Sequence, residues 1–145
     1  NIGYVPQSIF LNNETIRENI AFGEKKENIN NAKVIEVLKK VQLYNFVTGK
    51  KHGIDTVISD NSLNLSGGQI QRIGIARALY RNPKILIFDE STNSLDFETE
   101  KEFMKVVHKL REDKIVIFVS HKISLLEDCN KIYEFKNKNL RLKTN

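Results

Sequence analysis

Two short apolar runs, each bounded by polar residues, predict buried strands of a sheet. They cover residues 84–89 and 114–119. Between them, apolar residues recur three and four positions apart, which predicts an amphipathic helix with one face on the sheet: Phe103, Val106, Val107 and Leu110. The order strand, helix, strand favours a parallel pair with a right-handed crossover. Residues 2–5 and 131–135 predict further strands, and we expect the polar tail from Lys136 to fray.

The first half of the chain predicts mostly helix. Thr15 and Glu18 have the spacing of a capping box, which predicts a short helix over residues 15–22. Apolar residues at helical spacing predict a second, amphipathic helix over residues 32–41, and a short third helix follows over residues 44–47. This part of the chain therefore reads as a helical insert in an α/β domain.

A turn with two glycines stands directly before another helical pattern. The turn is Leu65-Ser66-Gly67-Gly68-Gln69, and the helix covers residues 70–79. A Ser cap followed by two glycines leaves backbone N–H groups uncovered at a helix N-terminus, where the partial positive charge favours a phosphate. Taken alone, the same turn also fits an ordinary Ser-capped helix.

Polar side chains follow the predicted strands at the edge where their carboxyl ends meet, and ligands of parallel α/β sheets bind at that edge. These residues are Gln7, Asp89, Glu90 and His121. Strand alternation points Asp89 and Glu90 to opposite sides, so that Asp89 can hold a metal ion through water while Glu90 faces a reacting centre. With His121 as a donor, this is the equipment of phosphoryl transfer. An exposed acidic turn and a surface histidine are the alternatives.

In their order and spacing these motifs resemble the nucleotide-binding domain of an ATP-binding-cassette (ABC) transporter. The matching segments are the signature at residues 65–69, the Walker B strand and its catalytic Glu at 85–90, the D-loop at Ser94-Leu95-Asp96, the switch histidine His121 and the Q-loop at 5–7. The resemblance implies an α/β fold, a partial P-loop NTPase domain of the ABC type. Its mostly parallel sheet is flanked by helices and carries a helical signature subdomain.

The resemblance also implies a role for each matched residue and names ATP and Mg²⁺ as the ligands. Glu90 would act as general base, His121 would clasp the γ-phosphate, and Gln7 would sense the metal ion and the attacking water. Asp89 would coordinate Mg²⁺ through water, near Gln7. The remaining residues would contact ATP held by an opposing domain or act across the dimer interface: Ser66, Gly67, Gly68, Gln69 and Asp96.

The resemblance divides the chain into a Q-loop strand (1–7), a helical subdomain with the signature (8–80), an α/β part from Walker B to the switch histidine (81–135) and a polar tail (136–145). The sequence contains no Gly-x-x-x-x-Gly-Lys-Ser/Thr phosphate loop. We therefore expect a C-terminal portion of the domain that does not turn over ATP alone. We also expect an unpaired strand edge and uncovered apolar surface, hence marginal stability or self-association.

Residues 10–20 resemble the segment that follows the Q-loop in exporters whose membrane and ATPase domains share one polypeptide, including multidrug, lipid and lipid-linked oligosaccharide flippases. The partners implied are a second ABC ATPase domain, arranged head to tail, and a transmembrane domain that contacts the Q-loop surface. The implied location is the cytoplasmic face of the plasma membrane. Residues 9–11 are candidates for this contact, unless they pack internally.

Composition narrows the remaining alternatives. The 145 residues suit one domain, and a net charge of +5 from scattered Lys residues gives weak support for nucleic-acid binding, so no specific nucleic acid is expected. The single cysteine, Cys129, excludes an internal disulfide and is read as structural. Two alternatives to an exporter ATPase stay open, a non-transport ATPase of the same superfamily and a truncated, non-enzymatic fragment.

Overall fold

A computed structural model describes residues 1–59, 64–93, 95–122, 125–126 and 129–143. Its helices are α1 (Ile16–Ile20), α2 (Asn31–Lys40), α3 (Tyr44–Thr48), α4 (Gly67–Tyr80) and α5 (Phe97–Leu110), and short 3₁₀ turns lie at Lys26–Asn28 and Gly53–Asp55. Its strands are β1 (Ile2–Val5), β2 (Ile85–Asp89), β3 (Ile115–Val119), β4 (Ile132–Lys136) and β5 (Asn139–Lys143).

A parallel sheet of order β1-β2-β3 forms the α/β part of the described chain. The register pairs Val5 with Phe88 and Phe88 with Phe118, so all three strands point their carboxyl ends to one edge. Helix α5 connects β2 to β3 and buries the four apolar residues that its spacing predicted. The Phe103 ring meets Phe88 edge to face at 5.7 Å. The predicted parallel sheet with a packed helix is confirmed.

The expectation that β3 is a buried strand is wrong. Its residues alternate between exposed and half-buried, and Ile115, Ile117 and Val119 are 62%, 45% and 50% exposed. Ile2 and Tyr4 of β1 are exposed as well. An open apolar face is therefore present on this sheet, as expected. β2 pairs on both sides, so within the part of the chain that the structure describes the unpaired edges lie on β1 and β3.

Helix α1 begins with the predicted capping box. The Thr15 N–H donates to Glu18 Oε2 at 2.8 Å, and the Glu18 N–H donates back to Thr15 Oγ1 at 3.3 Å. The helix ends at Ile20, two residues earlier than predicted, and Gly23 with φ +85° turns the chain away from the helical direction. Helices α2 and α3 lie within one residue of their predicted bounds.

Helix α4 lies at the centre of the helical part and packs against α1, α2 and β1. Ile73, Ile75 and Ala76 are at most 1% exposed. Burial on this scale supplies the main stabilising term of the helical part, because α1 and α3 are too short to be stable alone. The turn that begins α4 is thereby fixed relative to the sheet.

The polar tail does not fray over its described residues, and this expectation is wrong. Strands β4 and β5 form an antiparallel hairpin. Asn137 and Lys138 occupy its turn with φ of 51° and 61°, the left-handed backbone that a two-residue hairpin turn uses. Phe135 pairs with Leu140, and both side chains are exposed.

Candidate active site

Glu90 and His121 meet at the carboxyl edge of the sheet. Each follows one of two paired strands, β2 and β3, and the Glu90 N–H donates to the Val119 carbonyl at 2.9 Å. The His121 Nε2 lies 3.0 Å from Glu90 Oε1. The His121 side chain is 90% exposed, whereas that of Glu90 is 25% exposed. A carboxylate held in a partly dry position beside an accessible imidazole is suited to proton transfer at this edge.

The backbone of Glu90 takes a left-handed conformation, which residues other than glycine rarely adopt. Its φ of 48° lies in the left-handed region, which costs a non-glycine residue free energy. Asn93 steadies the carboxylate, because its Nδ2 donates to Glu90 Oε2 at 2.8 Å. Sequence reasoning missed Asn93, although a polar residue three positions after an acidic one in a turn is the available signal.

Asp89 has a different partner from Glu90, which lies beyond the end of β2 with a left-handed backbone, so that strand alternation does not set its direction. The Tyr4 hydroxyl on β1 donates to Asp89 Oδ2 at 2.7 Å. This hydrogen bond to a carboxylate raises the pKa of Tyr4 above its ordinary 10.0. Tyr4 was not among the predicted site residues. Its register beside Ile87 places it on the same face of the sheet as Asp89.

The donor set around Asp89 fits a magnesium ion better than a metal held by protein ligands alone. In the described ranges of the chain, no three His, Cys, Asp or Glu side chains converge on one point. Mg²⁺ keeps several waters and usually needs only one or two carboxylates together with phosphate oxygens. A half-buried carboxylate at the open edge of the sheet meets that requirement.

Gln7 follows β1 at the same edge, and its side chain is exposed. Its backbone carbonyl accepts a hydrogen bond from Gln71 Nε2 of α4 at 3.1 Å. Among the contacts of the described residues, none joins the Gln7 side chain to Asp89 or Glu90. The structure therefore connects the Q-loop backbone to the signature helix, which sequence reasoning missed.

The signature turn forms a second capping box. The Gln69 N–H donates to Ser66 Oγ at 3.3 Å, and the Ser66 N–H donates to Gln69 Oε1 at 2.9 Å. The predicted Ser cap is confirmed. Gly67 is exposed, but Gly68 is buried against α5, where an added Cβ would lie 2.3 Å from Thr99 Cγ2. The two glycines therefore differ, since only the second is required by close packing.

Asp96 caps α5 beside this turn. Its carboxylate accepts from Thr99 Oγ1 at 2.6 Å and from the Thr99 N–H at 3.1 Å, and these bonds lower the pKa of Asp96. A cleft of about 270 Å³ opens between the first turns of α4 and α5 and is lined in part by Ser66, Gln69 and Thr99. Ser94, the first residue of the predicted D-loop, lies outside the described residues.

The structure thus brings the predicted residues together in two groups. Glu90, His121 and Asp89 lie at the sheet edge. The signature turn lies at the cleft between two helix N-termini, where Ser66, Gly68 and Gln69 are among the lining residues, and Asp96 caps the second of these helices. Within the described residues, no hydrogen bond or ion pair joins one group to the other.

The sequence left open whether residues 9–11 pack internally or form a surface for a partner. Ile9 and Leu11 pack against the core, whereas Phe10 is 80% exposed. Arg77 of α4 fixes this segment, because its guanidinium donates to the Phe10 carbonyl at 3.0 Å and to the Asn19 carbonyl at 2.8 Å. Burial lowers the pKa of Arg77.

The length and composition of the described helices decide whether any of them could cross a membrane. None of them combines the length and the apolar character that a bilayer crossing demands.

Known proteins are similar to this chain in sequence and in fold. The sequence model of the ABC transporter family matches residues 1–93. An ATP-dependent lipid A-core flippase of Pasteurella multocida (strain Pm70) is 40% identical over 132 residues, 91% of this chain and 22% of that protein. The multidrug resistance protein sirA of Leptosphaeria maculans is 37% identical over 129 residues, 89% of this chain and 10% of that protein.

A solved structure agrees with these relatives. A bacterial Atm1-family ABC exporter with ATP bound superposes with a TM-score of 0.78 at 34% identity, covering 96% of this chain and 24% of that chain. The chain belongs to the ABC transporter family, and its fold is part of the nucleotide-binding domain of the exporter type. It spans about a fifth of the length of the flippase it matches.

Proposed function

We propose that this chain is the C-terminal part of an exporter ATPase domain, with Glu90 as the general base of ATP hydrolysis. The observation that carries the proposal is the Glu90 to His121 contact of 3.0 Å at the sheet edge. Glu90 would accept a proton from the attacking water through Oε1, while Asn93 holds Oε2. His121, being 90% exposed, can turn from Glu90 toward the γ-phosphate of the substrate when ATP enters.

Mg²⁺, when bound, neutralises phosphate charge in phosphoryl transfer. Asp89 is the residue that would hold it through water, and the hydrogen bond from Tyr4 keeps one carboxylate oxygen in place. Gln7 would complete this side of the site, since its exposed side chain lies beyond the end of the neighbouring strand β1.

A second ATPase domain is the partner that the signature turn favours. Ser66 and Gly67 are exposed, and their turn has no bond to Glu90 or His121 among the described residues. A separate nucleotide therefore suits this turn, and we propose that Ser66 to Gln69 and Asp96 face ATP held by the opposing domain, arranged head to tail. The helix N-terminus supplies partial positive charge for its γ-phosphate.

The exporter is favoured over a non-transport ATPase by the names of the relatives, a lipid A-core flippase and an exporter. We propose that a transmembrane domain contacts the surface around Phe10 and that the site faces the cytoplasm. Phe10 supports this because its ring is 80% exposed while Arg77 fixes its backbone. A missing Walker A segment upstream would complete the nucleotide site, so that the chain alone is expected to be inactive.

The test compares ATP hydrolysis by the chain extended with its native upstream sequence and by its Glu90→Gln variant. We expect the variant to bind ATP but to lose about 10²- to 10⁴-fold in kcat, because an amide cannot accept the proton. Glu36→Gln is the matched control, since it removes an exposed carboxylate on α2. Full activity of Glu90→Gln would overturn the catalytic assignment of Glu90, whereas absence of hydrolysis by the extended parent chain would favour a non-enzymatic role.

A further inference from the structure

The Lys122 side chain joins three segments of the candidate site. Its Nζ donates to the Thr92 carbonyl at 3.1 Å and forms an ion pair with Glu100 Oε2 of α5. The Lys122 N–H also donates to Ser120 Oγ at 3.0 Å. The residue that follows His121 is thereby bonded to the turn after β2 and to the first half of α5.

This ion pair is more sheltered than an ordinary surface pair. The Glu100 side chain is 14% exposed and that of Lys122 is 35% exposed, whereas the Glu102 and Lys105 pair on the same helix is 43% and 55% exposed. Exposed pairs stabilise little, but a sheltered pair with a further carbonyl partner holds a defined geometry. Lys122 is therefore suited to fix positions, and Lys105 is not.

The Thr92 carbonyl belongs to the turn that carries Glu90. Asn93 donates its N–H to the Glu90 carbonyl at 3.1 Å and its side-chain amide to Glu90 Oε2 at 2.8 Å. The Glu90 N–H is held by Val119 of β3. The turn is thus anchored to β3 at its first residue and to Lys122 at Thr92, the residue before Asn93.

We propose that Lys122, paired with Glu100, is the positioning residue that sets His121 against Glu90. Lys122 acts by holding the turn that carries Glu90 and the turn that carries His121 at the same time. No role in proton transfer is assigned to Lys122. The proposal rests on the proposed function, in which Glu90 and His121 are the reacting pair. Loss of the ammonium group would free the His121 turn from the Glu90 turn and leave the strands β2 and β3 paired.

The experiment measures the contact between Glu90 and His121 by NMR on this chain. The ring signal of His121 is one of three histidine signals and is assigned with His121→Gln. Glu90→Gln should displace the His121 signal in the parent chain. In a Lys122→Met background the displacement should fall to less than half, and in a Lys105→Met background, which removes an exposed cation of α5, it should persist.

The outcomes separate the two proposals. A displacement that persists in Lys122→Met overturns the positioning role and leaves the proposed function intact. Absence of any displacement in the parent chain overturns the Glu90 to His121 pair and both proposals with it. Restoration by Lys122→Arg, which keeps a cation with donors, supports a role through hydrogen bonding.

Kinetics of the upstream-extended chain supply a second readout. Lys122→Met should lower kcat about tenfold with less than a twofold change in KM, because a small displacement of reacting groups costs rate. Glu100→Gln should lower kcat less, since Lys122 keeps the Thr92 carbonyl as a partner. A variant that loses thermal stability yet keeps the parent kcat would show a structural role only and would contradict the proposal.

Discussion

Replacement of Gly68 by Ala tests the contact that joins the signature turn to α5. An ideal Cβ at Gly68 would lie 2.3 Å from Thr99 Cγ2, far inside van der Waals contact. Thr99 cannot rotate away without cost, because its Oγ1 donates to Asp96 at 2.6 Å. At Gly67 the nearest atom is Leu95 Cδ2 at 3.8 Å, an ordinary contact. Gly67→Ala is therefore a control one residue away in the same helix.

The expected magnitude follows from two opposing effects. Overpacking costs about 1–3 kcal/mol. Alanine is favoured over glycine in a helix by up to about 1 kcal/mol. We therefore expect Gly68→Ala to lower the free energy of unfolding by about 1–2 kcal/mol, while Gly67→Ala leaves it unchanged or raises it by up to about 1 kcal/mol.

The assay is urea unfolding followed by far-UV circular dichroism. For Gly68→Ala the midpoint should fall by about 0.5–1 M with no change in slope. Thr99→Ser removes the contacting methyl group and keeps the hydroxyl on Asp96, so combining it with Gly68→Ala should recover at least about 1 kcal/mol. Equal stability of the two alanine variants, or no recovery with Thr99→Ser, would refute the steric reasoning.

Two further predictions concern the helical part. The ion pair with Lys26 holds the pKa of Glu18 at about 2, below its ordinary 4.5. The charge of the Glu18 carboxylate therefore stabilises the fold fully above pH 4.5, and this contribution is lost as the pH falls through 2. Glu18→Gln keeps the capping box and should cost about 1 kcal/mol at pH 6 but clearly less at pH 2, where about half of the folded carboxylate is protonated. Urea unfolding at both pH values measures the cost, and an equal cost would contradict this. Arg77→Met removes the hydrogen-bond donors to two backbone carbonyls, so it should lower the free energy of unfolding by about 2–3 kcal/mol in the same assay at pH 7. The control is Arg81→Met, which changes a 60% exposed side chain and should lower it by less than about 1 kcal/mol. Similar losses at the two arginines would show that the hydrogen bonds of Arg77 to the two carbonyls do not stabilise the fold.

Local patterns predicted much of this fold. The spacing of Phe103, Val106, Val107 and Leu110 predicted the buried face of α5, and the capping box of α1 and the Ser66 cap of α4 were predicted from local sequence as well. These features depend on periodicity and on side chains that bond within one turn. The ends of β2 and β3 also predicted that Glu90 and His121 would share an edge.

The wrong predictions concern segments whose local sequence pattern is compatible with two different structures. The apolar run of β3 resembles that of β2, yet among the described strands of this sheet only β2 pairs on both sides, and periodicity does not report the number of neighbouring strands. The β4–β5 hairpin was missed because its turn is Asn137-Lys138, without the glycine that usually marks such turns.

Contacts between distant residues could not be read from the sequence. Arg77 reaches Phe10 and Asn19, and Lys122 reaches Glu100 and Thr92, in each case across more than twenty positions. In the sequence, Arg77 and Lys122 cannot be distinguished from other basic residues of helices and turns. Only the tertiary packing decides which of the many Lys and Arg side chains is sheltered.

The left-handed backbone of Glu90 has a consequence for how the gene can change. With φ at 48°, this position would suit glycine or asparagine better than glutamate. Mutational drift that is screened for folding alone would thus tend to replace the carboxylate and gain stability by doing so. Glu90 therefore occupies a position where folding stability and the presence of a carboxylate oppose each other.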